Sequence, residues 1–157
     1  MSGGSVERVR AALLAAGHDD TIQAFPEGTR SAADAAAAVG CEVAQIAKSI
    51  VLRGGDRVVL VIASGANRVD VAKVAAVTGL QVKRADGGWV RDVTGFAIGG
   101  VAPVGHLTPP VVLVDEDLFG FARVWAAAGS PMHVFATTPE SLLRLCGGRR
   151  ADVREGA

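Results

Sequence analysis

Two stretches of this 157-residue chain combine residue types that could do chemistry. One is Thr94-Gly-Phe-Ala-Ile-Gly-Gly-Val-Ala-Pro-Val-Gly-His106, which holds four glycines and a proline in otherwise apolar sequence. The Gly99-Gly100 pair opens backbone conformations denied to other residues and lets the chain approach a ligand closely, while Pro103 stiffens the far side. That combination builds a rigid pocket wall lined by backbone, although the same residues also make ordinary turns between strands. The other stretch is Gln45-Ile-Ala-Lys48-Ser-Ile-Val-Leu52, where Lys48 falls at the junction between a helical segment and an apolar strand. A lysine there either snorkels to water or holds its charge toward a ligand. His18 reads as a solvated residue past a helix end, and His106 and His133 as structural residues unless one reaches a substrate as a base.

Absent signatures narrow the chemistry. Gly95, Gly99, Gly100 and Gly105 lead into Pro109-Pro110 rather than a helix, so they do not form a dinucleotide-binding turn. There is no G-x-x-x-x-G-K-[ST], H-E-x-x-H or G-x-S-x-G, which removes the common triphosphatase, zincin and serine-hydrolase signatures. The histidines lack metal-ligand spacing, and Cys41 and Cys146 form no CxxC, so neither a zinc site nor a disulfide framework is expected. Sixteen basic residues balance sixteen acidic ones, so any nucleic-acid contact should be local, such as one strand end. Half the residues are hydrophobic and 20% charged, which fits one domain over 1–157 with a proper core. No long apolar run suggests a signal peptide or a membrane span, and a cytoplasmic location is expected.

The elements that must position these residues follow from periodicity and caps. Ser5 is placed to cap a helix with Val6, Val9, Leu13 and Ala16 on one face, ended by Gly17. A short strand over 21–25 brings Phe25 to a rim, and Ser31-Ala-Ala-Asp34 opens an alanine-rich helix that stops at Gly40. A second short helix is expected over 42–48, then a hairpin of 49–53 and 57–63 about Gly54-Gly55-Asp56. Asn67 is placed to cap a third helix ending at Gly79, and 80–84 returns as a strand. Asp86-Gly87-Gly88 reads as a turn, and 89–93 fits no single element. Val111-Val-Leu-Val114 is a buried strand, and strands over 124–128 and 132–135 flank Gly129-Ser130. Thr138-Pro139-Glu140 opens a last helix, and 147–157 is a polar tail expected to fray. Strands and helices are mingled, so a mixed sheet wrapped by helices fits better than regular βαβα alternation.

Taken together, Ser31-Ala-Ala-Asp-Ala-Ala-Ala-Ala-Val-Gly40, Gln45-Ile-Ala-Lys48-Ser, Val69-Asp70-Val-Ala-Lys73, the glycine-rich stretch 94–105, Leu113-Val-Asp115 and Gly129-Ser130 resemble the YbaK/ProX family of aminoacyl-tRNA deacylases. Order and spacing match over nearly the whole chain. The resemblance implies a mixed α/β (α+β) fold, with a mostly antiparallel sheet or partly closed barrel surrounded by helices, similar to the insertion domain of bacterial prolyl-tRNA synthetases. It implies a free-standing domain that hydrolyses the ester between a wrong amino acid and the terminal adenosine of a tRNA, without metal or cofactor. Pocket selectivity between near-isosteric amino acids is worth only about 1–3 kcal/mol, which is why such correction is needed.

The family comparison also implies roles. Backbone N–H groups of Gly99, Gly100 and Val101 would hold the ester carbonyl oxygen, with Pro103 fixing the loop. Lys48 would anchor phosphate or ribose, since an ordinary lysine is protonated near neutral pH; a desolvated, neutral Lys48 acting as a base is the alternative. Ser49, Ala63, Gly129 and Ser130 would line the amino-acid pocket, with Phe25, His106 and His133 as further substrate contacts. Phe25 stands where members that clear cysteine tend to have tyrosine, and Ala126-Ala-Ala-Gly129 lacks their serine before the glycine. Alanine, serine, threonine and cysteine esters therefore all stay open. With five Phe, two Trp and no Tyr, recognition of the RNA end would lean on Lys48, Arg53 and backbone. A synthetase is a possible partner, and the rival reading is a catalytically silent module that grips a tRNA end or a synthetase.

Overall fold

The computed structural model describes residues 2–29 and 31–156. Helix α1 (Ser2–Ala15) buries Val6, Val9 and Leu13 as their spacing predicts, but Ser5 lies inside it and donates to Gly129 O at 2.7 Å instead of capping. After β1 (Ile22–Ala24), Ser31 Oγ accepts from the Asp34 N–H and opens α2 (Ala32–Val39), which Gly40 closes. The helix expected over 42–48 is only a 3₁₀ turn, Val43–Gln45, because Ile46 and Ala47 pair with Trp125 and Ala126 and already belong to β2 (Ile46–Gly54). Tertiary pairing here overrides local helix preference.

Strand β3 (Arg57–Ser64) is buried on both faces: Leu60 and Ile62 enter one core, Val59, Val61 and Ala63 the other. Helix α3 (Val71–Thr78) is capped by Asp70, not Asn67, and β4 shrinks to Lys83–Arg84. The expected turn 86–88 instead begins α4 (Gly87–Thr94), for Asp86 accepts from the Trp89 N–H and Val90 and Thr94 face the core. A helix therefore leads into the glycine-rich loop. Strands β5 (Val111–Asp115), β6 (Val124–Ala127) and β7 (His133–Thr137) form where predicted. Helix α5 (Pro139–Cys146), capped by Thr138, precedes β8 (Arg149–Ala151). The tail expected to fray is held over 149–153: β8 pairs in parallel with β5, and Val153 is fully buried.

The sheet order is β1-β7-β6-β2-β3-β5-β8, with β4 on β2. Pairs β1/β7, β2/β3, β2/β4 and β6/β7 are antiparallel, and β2/β6, β3/β5 and β5/β8 parallel. It stays open, with β1 and β8 at its ends among the described residues, so the partial-barrel alternative is not the one adopted. Pairing on β2 positions the site. Its whole length is bonded to β3 on one edge, while β6 takes only Ile46 and Ala47 and β4 only Leu52 and Arg53 on the other. Residues 48–51 thus face a gap in the sheet. Among the described residues no helix is long and apolar enough to cross a membrane.

Candidate functional site

Lys48 is the third residue of β2, at the start of that gap, rather than at a helix boundary. Its half-buried side chain reaches Gly65 O at a long 3.5 Å. Burial, and next the positive charge of Arg68, hold its pKa below the ordinary lysine value, while Asp115 pulls the other way. Asp115, at the end of β5, is fully buried. It accepts from the Ser64 N–H at 3.0 Å, Asn67 Nδ2 at 2.8 Å and the Asp117 N–H at 2.9 Å. The carboxylate ties the turn 64–67 to the sheet, and with it the Gly65 carbonyl beside Lys48.

The opposite wall is the loop after α4. The Gly100 N–H donates to Ala97 O at 2.9 Å and Gly99 has φ of 91°, a type II turn that requires positive φ at its third position. A Cβ on Gly100 would lie 2.7 Å from the Ser130 Cα, so only glycine lets the loop seat on the 129–130 turn. Gly100 therefore cannot serve as an expected oxyanion donor, because its N–H is spent within the turn. Among the described residues the N–H groups of Gly99 and Val101 meet no acceptor. Val101 is buried and Gly99 half-buried, and since a buried donor left unused is uncommon, the Val101 N–H in particular marks a place for a ligand.

Two cavities meet here. A pocket of about 270 Å³ lies between α2, the start of β2 and β6, with Ala32, Ala35, Ala126, Ala127 and Val134 in its wall. A wider cleft of about 750 Å³ runs toward α3 and β4 and carries Arg68, Arg84, Asp70 and Glu155. Lys48, Ser49, Ile50, Ile98, Gly99 and Val101 line both, and so form a neck between them. Ser49 Oγ is buried there with no partner among the described residues. A separate hollow of about 790 Å³ beside His18, Arg123 and Thr138 touches neither Lys48 nor the glycine loop.

The expected site residues thus divide. Lys48, Ser49, Gly99 and Val101 come together, with Gly100 and Pro103 buried behind them. Gly129, Ser130 and His133 form a supporting layer, in which Ser130 Oγ and His133 Nδ1 are 2.6 Å apart. Phe25 packs beside α2 with its N–H on Met132 O at 2.7 Å, and lines neither cavity. Ala63 is in the core with Val61 and Val74, since its side chain points to the face under α3. His106 lies away from both cavities: its Nε2 contacts Ala102 O at 2.6 Å and its ring meets Phe96 edge-on. Burial, and to a lesser degree the Arg8 charge, lower its pKa from the usual value.

No sequence motif singles out the alanine walls, Ile98, Arg68 or Arg84 as lining the cavities; the spacing of Ala32 and Ala35 is visible in the sequence but fits plain helix preference equally well. Among the described residues no three His, Cys, Asp or Glu side chains gather as a metal-holding group.

Comparison with known proteins agrees with this geometry. The family model for the aminoacyl-tRNA editing domain matches residues 26–145. The chain is 31% identical over 139 residues to the uncharacterized protein YwhH of Bacillus subtilis (strain 168), covering 88% of each. A solved structure described as a proposed trans-editing enzyme for prolyl-tRNA synthetase is 46% identical with a TM-score of 0.91, over 97% of this chain and 98% of that one. The hypothetical protein APE2540 is 27% identical with a TM-score of 0.87, over 94% and 99%. The editing-domain match spans α2, the Lys48 strand and the glycine loop alike, and the chain belongs to the YbaK/ProX-like family of aminoacyl-tRNA editing domains.

Proposed function

We propose that the protein is a metal-independent deacylase, acting in trans as one domain over 1–157, that cleaves the ester of tRNA mischarged with a small amino acid such as alanine, serine, threonine or cysteine. The observation that carries this reading is the neck, where Lys48 and two residues with unused backbone donors line the same passage between a small, largely apolar pocket and a wide cleft that carries Arg68 and Arg84. The alanine-walled pocket takes the amino-acid side chain, and the cleft takes the terminal adenosine with its phosphates near Arg68 and Arg84.

The ester carbonyl then lies in the neck, within reach of the Gly99 and Val101 N–H groups, which stabilise negative charge as water adds to the carbonyl carbon. An aminoacyl ester is already activated and its neighbouring ribose hydroxyl helps to place that water, so position and electrostatics supply the rest. Lys48 anchors ribose or phosphate, and its lowered pKa follows from the same partial burial that strengthens its pull on an anion. The similarity to a proposed trans-editing enzyme for prolyl-tRNA synthetase makes proline-type acceptors the first to test.

A panel of tRNAs charged with the four amino acids, on proline-, alanine- and lysine-type acceptors, tests the reading. Selective hydrolysis that disappears in Lys48→Ala supports it. No cleavage above the buffer rate on any tRNA, with binding retained, would leave a silent binding module.

A further inference from the structure

The two unused donors sit on a loop that makes few hydrogen bonds of its own, yet donors of this kind act only when held in place. Apart from the turn at 97–100, it is pinned near its ends: Thr94 Oγ1 accepts from the Phe96 N–H at 3.0 Å, and the Leu107 N–H reaches Thr94 O at 3.2 Å. Within the loop His106 Nε2 also donates to Ala102 O at 2.6 Å, and the rest of the anchorage comes from far away in sequence. Arg8, on α1, donates from Nε to Gly105 O at 2.5 Å and from Nη2 to Gly95 O at 3.0 Å. Its guanidinium also lies 4.6 Å from the centre of the buried Phe96 ring. Gly95 ends α4 and Gly105 ends the loop, so one planar side chain spans both stems. Its charge also sits at the negative end of α4. One turn earlier on the same helix face, Ser5 donates to Gly129 O, the turn on which Gly100 rests.

We propose that Arg8 is a positioning residue for the deacylation reaction: by fixing the separation of the Gly95 and Gly105 carbonyls it sets where the Gly99 and Val101 donors point. This rests on the deacylase reading for its effect on rate, but not for its effect on the loop. Arg8 touches no part of either cavity and acts only through the loop. An ammonium group cannot present the same spaced donors to both stems, so lysine is a poor replacement despite its charge.

The test compares Arg8→Met, which keeps the aliphatic stem, Arg8→Lys, which keeps the charge, and Arg10→Met, which removes a surface ion-pair residue on the same helix. In steady-state deacylation, Arg8→Met is expected to lower kcat about 30-fold with KM within about twofold, Arg8→Lys to recover only part, and Arg10→Met to stay near wild type. Amide exchange at Phe96, Gly100 and Leu107, whose N–H groups are hydrogen-bonded at the stems and turn of the loop, is measured on the same proteins, and should quicken in both Arg8 variants but not in Arg10→Met. Unchanged kcat in the Arg8 variants, a rise in KM alone, or exchange no faster than in Arg10→Met would overturn the proposal. Should wild type cleave no ester, the deacylase reading fails by itself and amide exchange still decides whether Arg8 holds the loop; Arg8→Lys serves if the methionine variant does not fold.

Discussion

The two walls of the neck are built in opposite ways. The Lys48 wall is a strand bonded along its length to β3, with the turn beside it tied down by the buried Asp115 carboxylate. The facing wall is a loop that owes its position to close approach, Gly100 against Ser130, and to side chains arriving from α1. A sheet can carry a charged side chain at little structural cost, because the backbone is already paired. A loop offers free backbone donors for the same reason that it is weakly held. Substitutions on the loop wall should therefore change stability and activity together, and those on the strand wall should separate them.

The sharpest way to break that comparison is Gly100→Val. Its side chain would meet Ser130 backbone, so deacylation should fall by more than about 100-fold and stability by about 1–3 kcal/mol, checked by single-turnover rates and urea unfolding. Loss of activity with unchanged stability would mean that the loop is not seated as described. On the strand wall, Lys48→Ala should also cost about 100-fold in rate. Its unfolding free energy should move by less than about 1 kcal/mol, since Lys48 is only half-buried and its one hydrogen bond is long. In the cleft, Arg84→Ala removes an exposed cation and should raise KM for full-length tRNA about fivefold while flattening the salt dependence. Cleavage of a short aminoacyl-adenosine ester should change less.

The smallest effect concerns His106. Its folded pKa is lowered, so the fold favours neutral imidazole. That contribution is complete above the unfolded value of 6.5 and is lost as pH falls below it through the folded value. His106→Gln keeps a donor for Ala102 O but cannot titrate. Urea midpoints followed from neutral to acidic pH should fall less for the variant than for wild type, and parallel curves would contradict the assignment.

Much of the scaffold was legible because local signals agreed with tertiary demand. Strands β3 and β5 are unbroken apolar runs, and Ser31 and Thr138 cap their helices as their spacing predicts. The misreadings arise where partners distant in sequence decide. Residues 89–93 are helical because Asp86 caps them, and Ile46 and Ala47 are strand because β6 pairs with them. Polar Arg149 and Arg150 form β8 through backbone bonds that leave no hydrophobic pattern.

The site divides along the same line. Lys48 and the glycine pair could be found from residue type, since few structural roles need them together. Which face Ala63 or His106 turns to depends on strand register and loop path, which no short window of sequence contains. Arg8 was invisible for that reason as well, being more than one loop and several strands away from the carbonyls it holds.

The most direct measurement is single-turnover hydrolysis of alanyl-tRNA on a proline-type acceptor by excess wild-type protein and by Lys48→Ala, with unfolding midpoints recorded for both. The account predicts rapid ester cleavage by wild type and a rate at least about 100-fold lower in the variant at matched stability. Equal rates in the two proteins, or a wild-type rate no higher than buffer on this and every other charged tRNA, would contradict it.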